Sequence, residues 1–279
     1  MKSNIKGTVH RLLNLFLAIF VFSTALPNRG DELKSNFFAF AHSHNDYENP
    51  RPLLDALENG FNSVEADVYL VGNELLVAHD LDKVQAGRSL SALYLEPLKK
   101  IISDPRFDFA HRDETFWLMI DIKSEGSSTY KMLHKKLLEY KSFLTDYSKI
   151  KTKAGELNPV SIVISGNRNP QLIANLKPSL AAFDARIKDI EKNDFSGPHV
   201  AWVSDNWANH FKWNGQGLFS ESESKKLKSF AAATHNLGAK LRFWNIPDKP
   251  EVWEVLTDHG VDLINTDRLG AFHLFFSDK

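Results

Sequence analysis

Residues able to do acid, base or metal chemistry are concentrated in the first half of the sequence. His42 ends the apolar run "FFAFAH", and His79 ends the extended segment "ELLVAH". Glu65 and Asp67 lie within "SVEADVYL", and Asp121 lies near the end of "FWLMIDI". Imidazole titrates near neutral pH and carboxylates bind hard cations. This set of residues could therefore carry acid–base catalysis beside a metal ion.

The spacing of Glu65 and Asp67 indicates a charged pair in a buried place. Residues two apart on a β-strand point to the same face, and the residues alternating with this pair are valines and an alanine. Two buried carboxylates repel each other unless a positive charge lies between them. That charge could be a metal ion, or it could be Lys123 or an arginine in a structural salt-bridge cluster.

A metal ion would complete a chemically sensible group. With Asp121 arriving from the next strand, the three carboxylates form an all-oxygen site, which suits Mg²⁺ or Ca²⁺ better than Zn²⁺. His42 and His79 would then flank the metal as general base and general acid. Taken singly, each histidine could instead be a core residue with satisfied hydrogen bonds.

The remainder of the chain predicts a scaffold that can bring these residues together. Short apolar runs alternate with segments of helical period such as "PRPLLDALENG" and "SESESKKLKSFAAATHNLG". Two intervals, 71–80 and 187–199, read as irregular or partly extended. Eight such units predict a single-domain (β/α)₈ TIM barrel over residues 36–279, with an open doubly wound sheet as the alternative. The predicted strands are 37–42, 63–70, 116–122, 160–165, 180–185, 200–205, 241–246 and 261–266.

Composition excludes several classes of function. The 279 residues carry a net charge of −1, so long-range attraction to nucleic acid is not expected. The chain has no cysteine, which excludes disulfides, a thiol nucleophile and thiolate metal sites. The first predicted strand is not followed by a glycine-rich fingerprint, so a dinucleotide site is not expected.

The first 28 residues have the layout of a secretory signal peptide. Basic residues precede the apolar run "LLNLFLAIFVF", which is followed by the small residues of "STALP". The sequence thus predicts export to a periplasm or to the outside of the cell, with cleavage near Ala25. An uncleaved membrane anchor is the alternative, and peripheral contact with membrane lipid is compatible with both.

Ordered motifs also carry a resemblance to a known superfamily. The block "AHSHNDYENPRPLLDALENGFNSVEADVYLVGNELLVAHD" resembles the start of the glycerophosphodiester phosphodiesterases, and of phospholipase C-like phosphodiesterases more widely. Its "HSHNDY" opening is similar to that of the altered-inheritance-of-mitochondria proteins. Later segments, "FWLMIDIK", "LRFWNIPD" and "GVDLINTDRLGAF", resemble the superfamily's other motifs. The resemblance spans residues 40 to about 272 and is weakest between 127 and 240.

The resemblance implies roles for individual residues. His42 and His79 correspond to the catalytic histidines, and Lys123 to a residue that contacts phosphate. The metal ligands would be Glu65, Asp67 and Asp121. Two departures bear on the substrate: "HSH" replaces the usual His-Arg-Gly, so the arginine expected beside the phosphate is missing, and the third acid is an aspartate.

Three further residues are candidates for substrate binding. Asn45 could bind metal or phosphate, or it could belong to a turn that caps the following helix. Arg168, in "SGNRNP", could clamp phosphate in bidentate geometry, or it could be a solvated loop residue. Trp244 could line the pocket, or it could be a core residue.

The leading hypothesis is a metal-dependent phosphodiesterase acting on a glycerophosphodiester or phospholipid-type substrate, small-molecule or lipid. One alternative is an amidohydrolase-like barrel, which "HSH" fits but which needs further histidines after the fifth and sixth predicted strands. The other alternative is a non-catalytic barrel that binds a phosphorylated or carbohydrate ligand.

Overall fold

The computed structural model describes residues 37–104, 115–150, 157–192 and 199–279. In these residues, nine strands form one sheet, and helices follow most of the strands. The strands are β1 (Phe38–Ser43), β2 (Phe61–Val71), β3 (Glu74–Val77), β4 (Phe116–Ile122), β5 (Val160–Gly166), β6 (Ala182–Ala185), β7 (Val200–Asn206), β8 (Lys240–Trp244) and β9 (Ile264–Thr266). The helices are α1 (Leu54–Glu58), α2 (Glu96–Ile102), α3 (Gly126–Leu138), α4 (Pro170–Asn175), α5 (Ile187–Lys192), α6 (Trp207–His210), α7 (Glu221–Asn236), α8 (Pro250–Asp258) and α9 (Leu269–Ser277).

The strand order makes the sheet a nearly closed parallel barrel. Neighbouring strands run in the order β8-β7-β6-β5-β4-β2-β1-β9. A parallel bridge between Arg242 on β8 and Leu263, one residue before β9, joins the two ends. The prediction of a TIM barrel is confirmed, and the open doubly wound sheet is excluded.

The interval 71–80 forms a hairpin instead of an irregular loop. β3 pairs antiparallel with the end of β2, with Val71 opposite Glu74 and Val68 opposite Val77. The hairpin folds back over the carboxyl end of β2, and this return places His79 near the barrel mouth. In the other interval, α5 occupies 187–192, and residues 193–198 lie outside the described part of the chain.

Two apolar layers hold the barrel. One layer fills the space between the sheet and the helices and includes Ile120 of β4 and Leu133 of α3. The other lies inside the barrel, where Met119, Trp202 and Leu263 belong to one buried cluster. Because both faces of the strands are buried, the strands read in the sequence as continuous apolar runs.

All eight predicted parallel strands form; β4 has the predicted ends, and each of the others differs from its prediction by one to three residues at one or both ends. The strand predicted over 241–246 ends at Trp244, because Asn245 adopts a left-handed conformation with φ of 56°. The strand predicted over 261–266 is reduced to the three residues of β9. Backbone conformation at a strand end depends on contacts that the apolar pattern does not encode.

Within the described residues, no helix combines the length and apolar character needed to cross a bilayer. The predicted signal peptide or anchor, residues 1–28, lies outside the described residues. The prediction about export therefore stays a prediction.

Candidate active site

Three carboxylates meet at the carboxyl ends of β2 and β4. The two strands run in register, with Asp67 opposite Asp121 and Glu65 opposite Met119. One carboxylate oxygen from each of Glu65, Asp67 and Asp121 lies within 4.8 Å of the other two. The structure thus brings together the three acids that the sequence proposes as metal ligands, and we call them the acid triad.

Two cations of the protein touch the acid triad. Lys123 Nζ lies 3.2 Å from Asp67 Oδ2 and 3.1 Å from Asp121 Oδ1. Arg242 Nη2 donates to Glu65 Oε2 at 2.7 Å, and both side chains are buried. The salt-bridge cluster considered from the sequence is therefore present, formed by both Lys123 and an arginine.

These cations balance the acid triad unevenly. Burial disfavours ionisation of Glu65, but the Arg242 guanidinium together with the hydrogen bond to His42 holds the pKa of this carboxyl below its usual range. Burial and the nearby Glu65 charge raise the pKa of Asp67 to about 7. Burial and Glu65 also raise the pKa of Asp121. A further positive charge at the acid triad would favour ionisation of both aspartates.

Each carboxylate of the acid triad has one oxygen outside its salt bridges with the described residues. Among the described residues, the partners of these carboxylates contact Oε2 of Glu65, Oδ2 of Asp67 and Oδ1 of Asp121. The second oxygen of each carboxylate makes no such contact, and Asp67 Oδ1 is buried without a hydrogen-bond partner. A buried unpaired acceptor is costly. Three free carboxylate oxygens suit Mg²⁺ or Ca²⁺, so the residues fit a divalent metal site.

His42 lies beneath the acid triad and is fully buried. Its Nδ1 is 2.7 Å from Ser63 Oγ, and its Nε2 is 3.3 Å from Glu65 Oε2. Burial and the positive charge of Arg242 lower the pKa of His42 to about 4. The imidazole is therefore neutral at pH 7 and can accept a proton.

His79 lies at the rim, on the other side of the acid triad. Its side chain is 54% exposed, and its Nδ1 is 3.2 Å from Asp67 Oδ2. Tyr47 Oη also donates to Asp67 Oδ2 at 2.8 Å and lies 3.3 Å from His79 Nδ1. The two histidines thus contact different carboxylates of the acid triad, and only His79 reaches solvent to a large extent.

Asn45 lies beside Tyr47 in the loop after β1. It has a left-handed backbone with φ of 46°, and its Oδ1 is 2.8 Å from Tyr47 Oη. It makes no side-chain cap to the short helix at Asp46–Glu48. Asp46 fixes the loop from below, because its buried carboxylate accepts from Ser43 Oγ at 2.8 Å and from Leu53 N at 2.6 Å.

The remaining predicted residues lie on the β5–β8 side of the mouth. Arg168 Nη1 donates to the Gly166 carbonyl at 3.1 Å. A Cβ at Gly166 would come within 2.3 Å of Asp121 Oδ1, so this loop runs directly against the acid triad. Trp244 is partly buried beneath the guanidinium of Arg186, whose Cζ is 4.9 Å from the ring centroid.

Sequence reasoning missed Arg242, Tyr47 and Arg186. Arg242 lies between Leu241 and Phe243, so it is a charged residue alternating with apolar ones on a strand. The same alternation drew attention to the acids of β2 and could have identified Arg242. Tyr47 lies in the three-residue helix at Asp46–Glu48 and Arg186 lies in the connection between β6 and α5, and neither segment is long enough to give a periodic signal.

Comparison with known proteins agrees with this geometry. The AIM6-like phosphodiesterase domain family matches residues 34–183, just over half of the chain. The chain belongs to this family. Altered inheritance of mitochondria protein 6 of Eremothecium gossypii is 28% identical over 266 residues, covering 84% of this chain and 68% of that protein. A homologue in Arthroderma benhamiae is 24% identical over 263 residues, covering 84% of this chain and 83% of that protein.

A solved structure supports the same fold. A crystal structure described as a glycerophosphodiester phosphodiesterase from Parabacteroides distasonis aligns with a TM-score of 0.50 and 16% identity. The alignment covers 87% of this chain and 99% of that one. At this identity the likeness supports the barrel alone, and membership of the AIM6-like phosphodiesterase domain family comes from the sequence match. The suspected relation to phosphodiesterases and to the altered-inheritance-of-mitochondria proteins is thereby confirmed.

Proposed function

We propose that this protein is a metal-dependent phosphodiesterase, with a Mg²⁺ or Ca²⁺ ion held by the acid triad. One observation carries the proposal: three carboxylates lie within 4.8 Å of one another, and a different histidine contacts each of two of them. When bound, a divalent cation would neutralise phosphate oxygens and stabilise the charge that develops on them.

The two histidines are suited to opposite proton transfers. His42 is kept neutral by burial and by Arg242, so it can accept the proton of the attacking hydroxyl or water. Its 3.3 Å contact with Glu65 is long enough to be exchanged for a reacting oxygen. His79 is half-exposed at the rim, where it can donate a proton to the leaving alcohol.

Cationic and polar side chains around the acid triad would position the phosphate. Lys123 contacts two of the acids and can reach a phosphate oxygen beside them. Arg168 has no ion pair with the described residues and can act as a bidentate donor to the phosphate or to an anionic group attached to it. Asn45 and Trp244 would contact the groups attached to the phosphate.

The test is hydrolysis of bis(p-nitrophenyl) phosphate with Mg²⁺, with Ca²⁺ and with EDTA. We expect turnover that the chelator abolishes and that falls by roughly 100-fold or more in His79→Ala and Glu65→Gln. His235→Ala is a matched control, because His235 is a 46% exposed histidine paired with Asp262 at 2.8 Å at the amino-terminal end of β8.

Each result bears on one candidate function. Turnover that survives EDTA, or that falls equally in His79→Ala and His235→Ala, would overturn the proposed mechanism. Metal binding without turnover of any diester would favour a ligand-binding barrel. Formation of a cyclic phosphate from a glycerophosphodiester would identify a hydroxyl of the substrate, and not water, as the attacking group.

The compartment and the natural substrate belong to the same proposal. Residues 1–28 would export the protein. In the periplasm or outside the cell, the protein would act on a small-molecule or lipid phosphodiester.

A further inference from the structure

Two arginines lie on the half of the barrel mouth opposite β1. Arg168 follows β5, and Arg186 follows β6. Arg186 is firmly placed, because its Nη1 donates to Asp184 Oδ2 at 2.7 Å and its Nη2 donates to Ser165 Oγ at 3.1 Å. Asp184 is fully buried and also accepts from Ser165 at 2.7 Å. The Arg186 guanidinium is therefore held from below.

This arrangement lies next to the acid triad. Ser165, which accepts a hydrogen bond from Arg186, lies opposite Asp121 in the pairing of β5 with β4. Arg186 is therefore held at the same height along the barrel axis as the acid triad. Arg168 is bound to the carbonyl of Gly166, the residue that lies against Asp121. A substrate with its phosphate at the acid triad would extend one of its alcohol groups toward these arginines.

Both guanidinium groups have N–H donors that make no hydrogen bond to the described residues. In the described part of the chain, Arg168 has no carboxylate partner, and its Nε is buried without a hydrogen bond. Arg186 Nε makes no hydrogen bond to the described residues either, although Asp184 balances its charge. Desolvating a cation without an anionic partner is costly. This cost applies to Arg168, and a ligand anion between the two arginines would remove it.

The position of Arg186 also alters what Trp244 can recognise. An open indole face attracts quaternary ammonium groups such as choline. Here the Arg186 guanidinium lies 4.9 Å over that ring. An approaching alcohol group therefore meets a guanidinium where it would otherwise meet an indole face.

We propose that Arg186, stacked on Trp244 and assisted by Arg168, selects phosphodiesters whose second alcohol carries an anionic group. The anion is a phosphate monoester or a carboxylate, and alcohols with a quaternary ammonium group are disfavoured. This specificity rests on the proposed phosphodiesterase function and names the substrate class of the same site.

The test compares p-nitrophenyl phosphodiesters of four alcohols. Two are anionic, 2-hydroxyethyl phosphate and 3-hydroxypropanoate; one is choline, and one is 3,3-dimethylbutanol, the neutral isostere of choline. We expect wild-type kcat/KM to be highest for the anionic pair and lowest for choline. Arg186→Gln should raise KM for the anionic pair by roughly tenfold or more, leave the neutral ester unchanged and improve choline.

Two variants separate recognition from folding. Lys188→Gln removes an exposed positive charge two residues away and should leave the order of substrates unchanged. If Arg186→Gln folds poorly because Asp184 loses its partner, the double variant with Asp184→Asn removes both charges together. It should show the same loss of preference for anions.

The outcomes distinguish this proposal from the one on which it rests. Turnover of bis(p-nitrophenyl) phosphate reports the phosphodiesterase alone. If that substrate reacts and wild type does not prefer anionic alcohols, or if Arg186→Gln affects all four esters equally, the specificity is refuted. If no diester reacts, the affinity for 2-hydroxyethyl phosphate, measured by calorimetry, tests the proposed anion site directly. Arg186→Gln should bind this compound about tenfold more weakly than wild type, and equal affinity would refute the site.

Discussion

Replacing Arg242 by methionine should destabilise this protein far more than removing an exposed arginine. Arg242 Nη2 donates to Glu65 at 2.7 Å and Nε donates to Asn265 at 2.8 Å, and all three side chains are buried. Methionine retains an apolar stem but leaves the Glu65 charge without its partner. Breaking a buried ion pair from one side costs about 3–5 kcal/mol. For a domain of this size, that lowers Tm by on the order of 10 °C.

The assay is thermal and urea unfolding of the metal-free protein, with Arg51→Met as the matched control. Arg51 also pairs with a glutamate through Nη2, at 2.6 Å from Glu58, but its side chain is 53% exposed. An exposed ion pair contributes about 1 kcal/mol or less, so this variant should unfold close to wild type.

A double variant tests the physical cause. Glu65→Gln combined with Arg242→Met removes both charges, so it should be more stable than Arg242→Met alone by about 1 kcal/mol or more. Mg²⁺ or Ca²⁺ should also restore part of the stability of Arg242→Met, because a bound cation supplies positive charge beside Glu65. Equal losses in the Arg242 and Arg51 variants, or no recovery in the double variant, would refute the reasoning.

Three further predictions concern the surroundings of the acid triad. Gly166→Ala should weaken divalent metal binding measured by calorimetry, because the added Cβ would lie 2.3 Å from Asp121 Oδ1. Gly217→Ala is the control: Gly217 has nearly the same φ, and an added Cβ there meets nothing within 4 Å, so metal binding should be unchanged. Burial raises the pKa of Asp46 to about 6 from 3.8, so the folded state binds more protons than the unfolded state between about pH 4 and 6, and stability falls as pH rises through this window. Urea unfolding at pH 4 and pH 6.5 should therefore show the stability of Asp46→Asn, relative to wild type, rising by about 2 kcal/mol between the two pH values. A stability difference that does not change with pH would contradict the assignment. Asp121→Asn should weaken metal binding by roughly tenfold or more. The Tm of the metal-free protein should stay unchanged or rise, because the substitution removes repulsion between like charges. A large fall in Tm would instead indicate that Asp121 has a structural role.

The sequence by itself determined the strands and the two acids that share a face. Period-two alternation is a property of the local backbone, so Glu65 and Asp67 could be assigned to one side of β2 without any knowledge of the fold. The alternation of eight apolar runs with helical segments likewise predicted a parallel barrel. Because parallel strands present their carboxyl ends at one edge, the convergence of Asp121 with this pair also followed.

Only the tertiary structure decided which charges balance the acid triad. Arg242 and Glu65 are 177 residues apart in sequence, and they meet because closure of the barrel brings β8 across from β2. Arg186 reaches Trp244 for the same reason, from a loop with no periodic signal. The pattern of a single strand records which face a side chain occupies and contains no information about the side chain that lies opposite. The sequence thus predicted where a cation was needed, and packing of distant strands decided that Arg242 and Lys123 provide part of that charge.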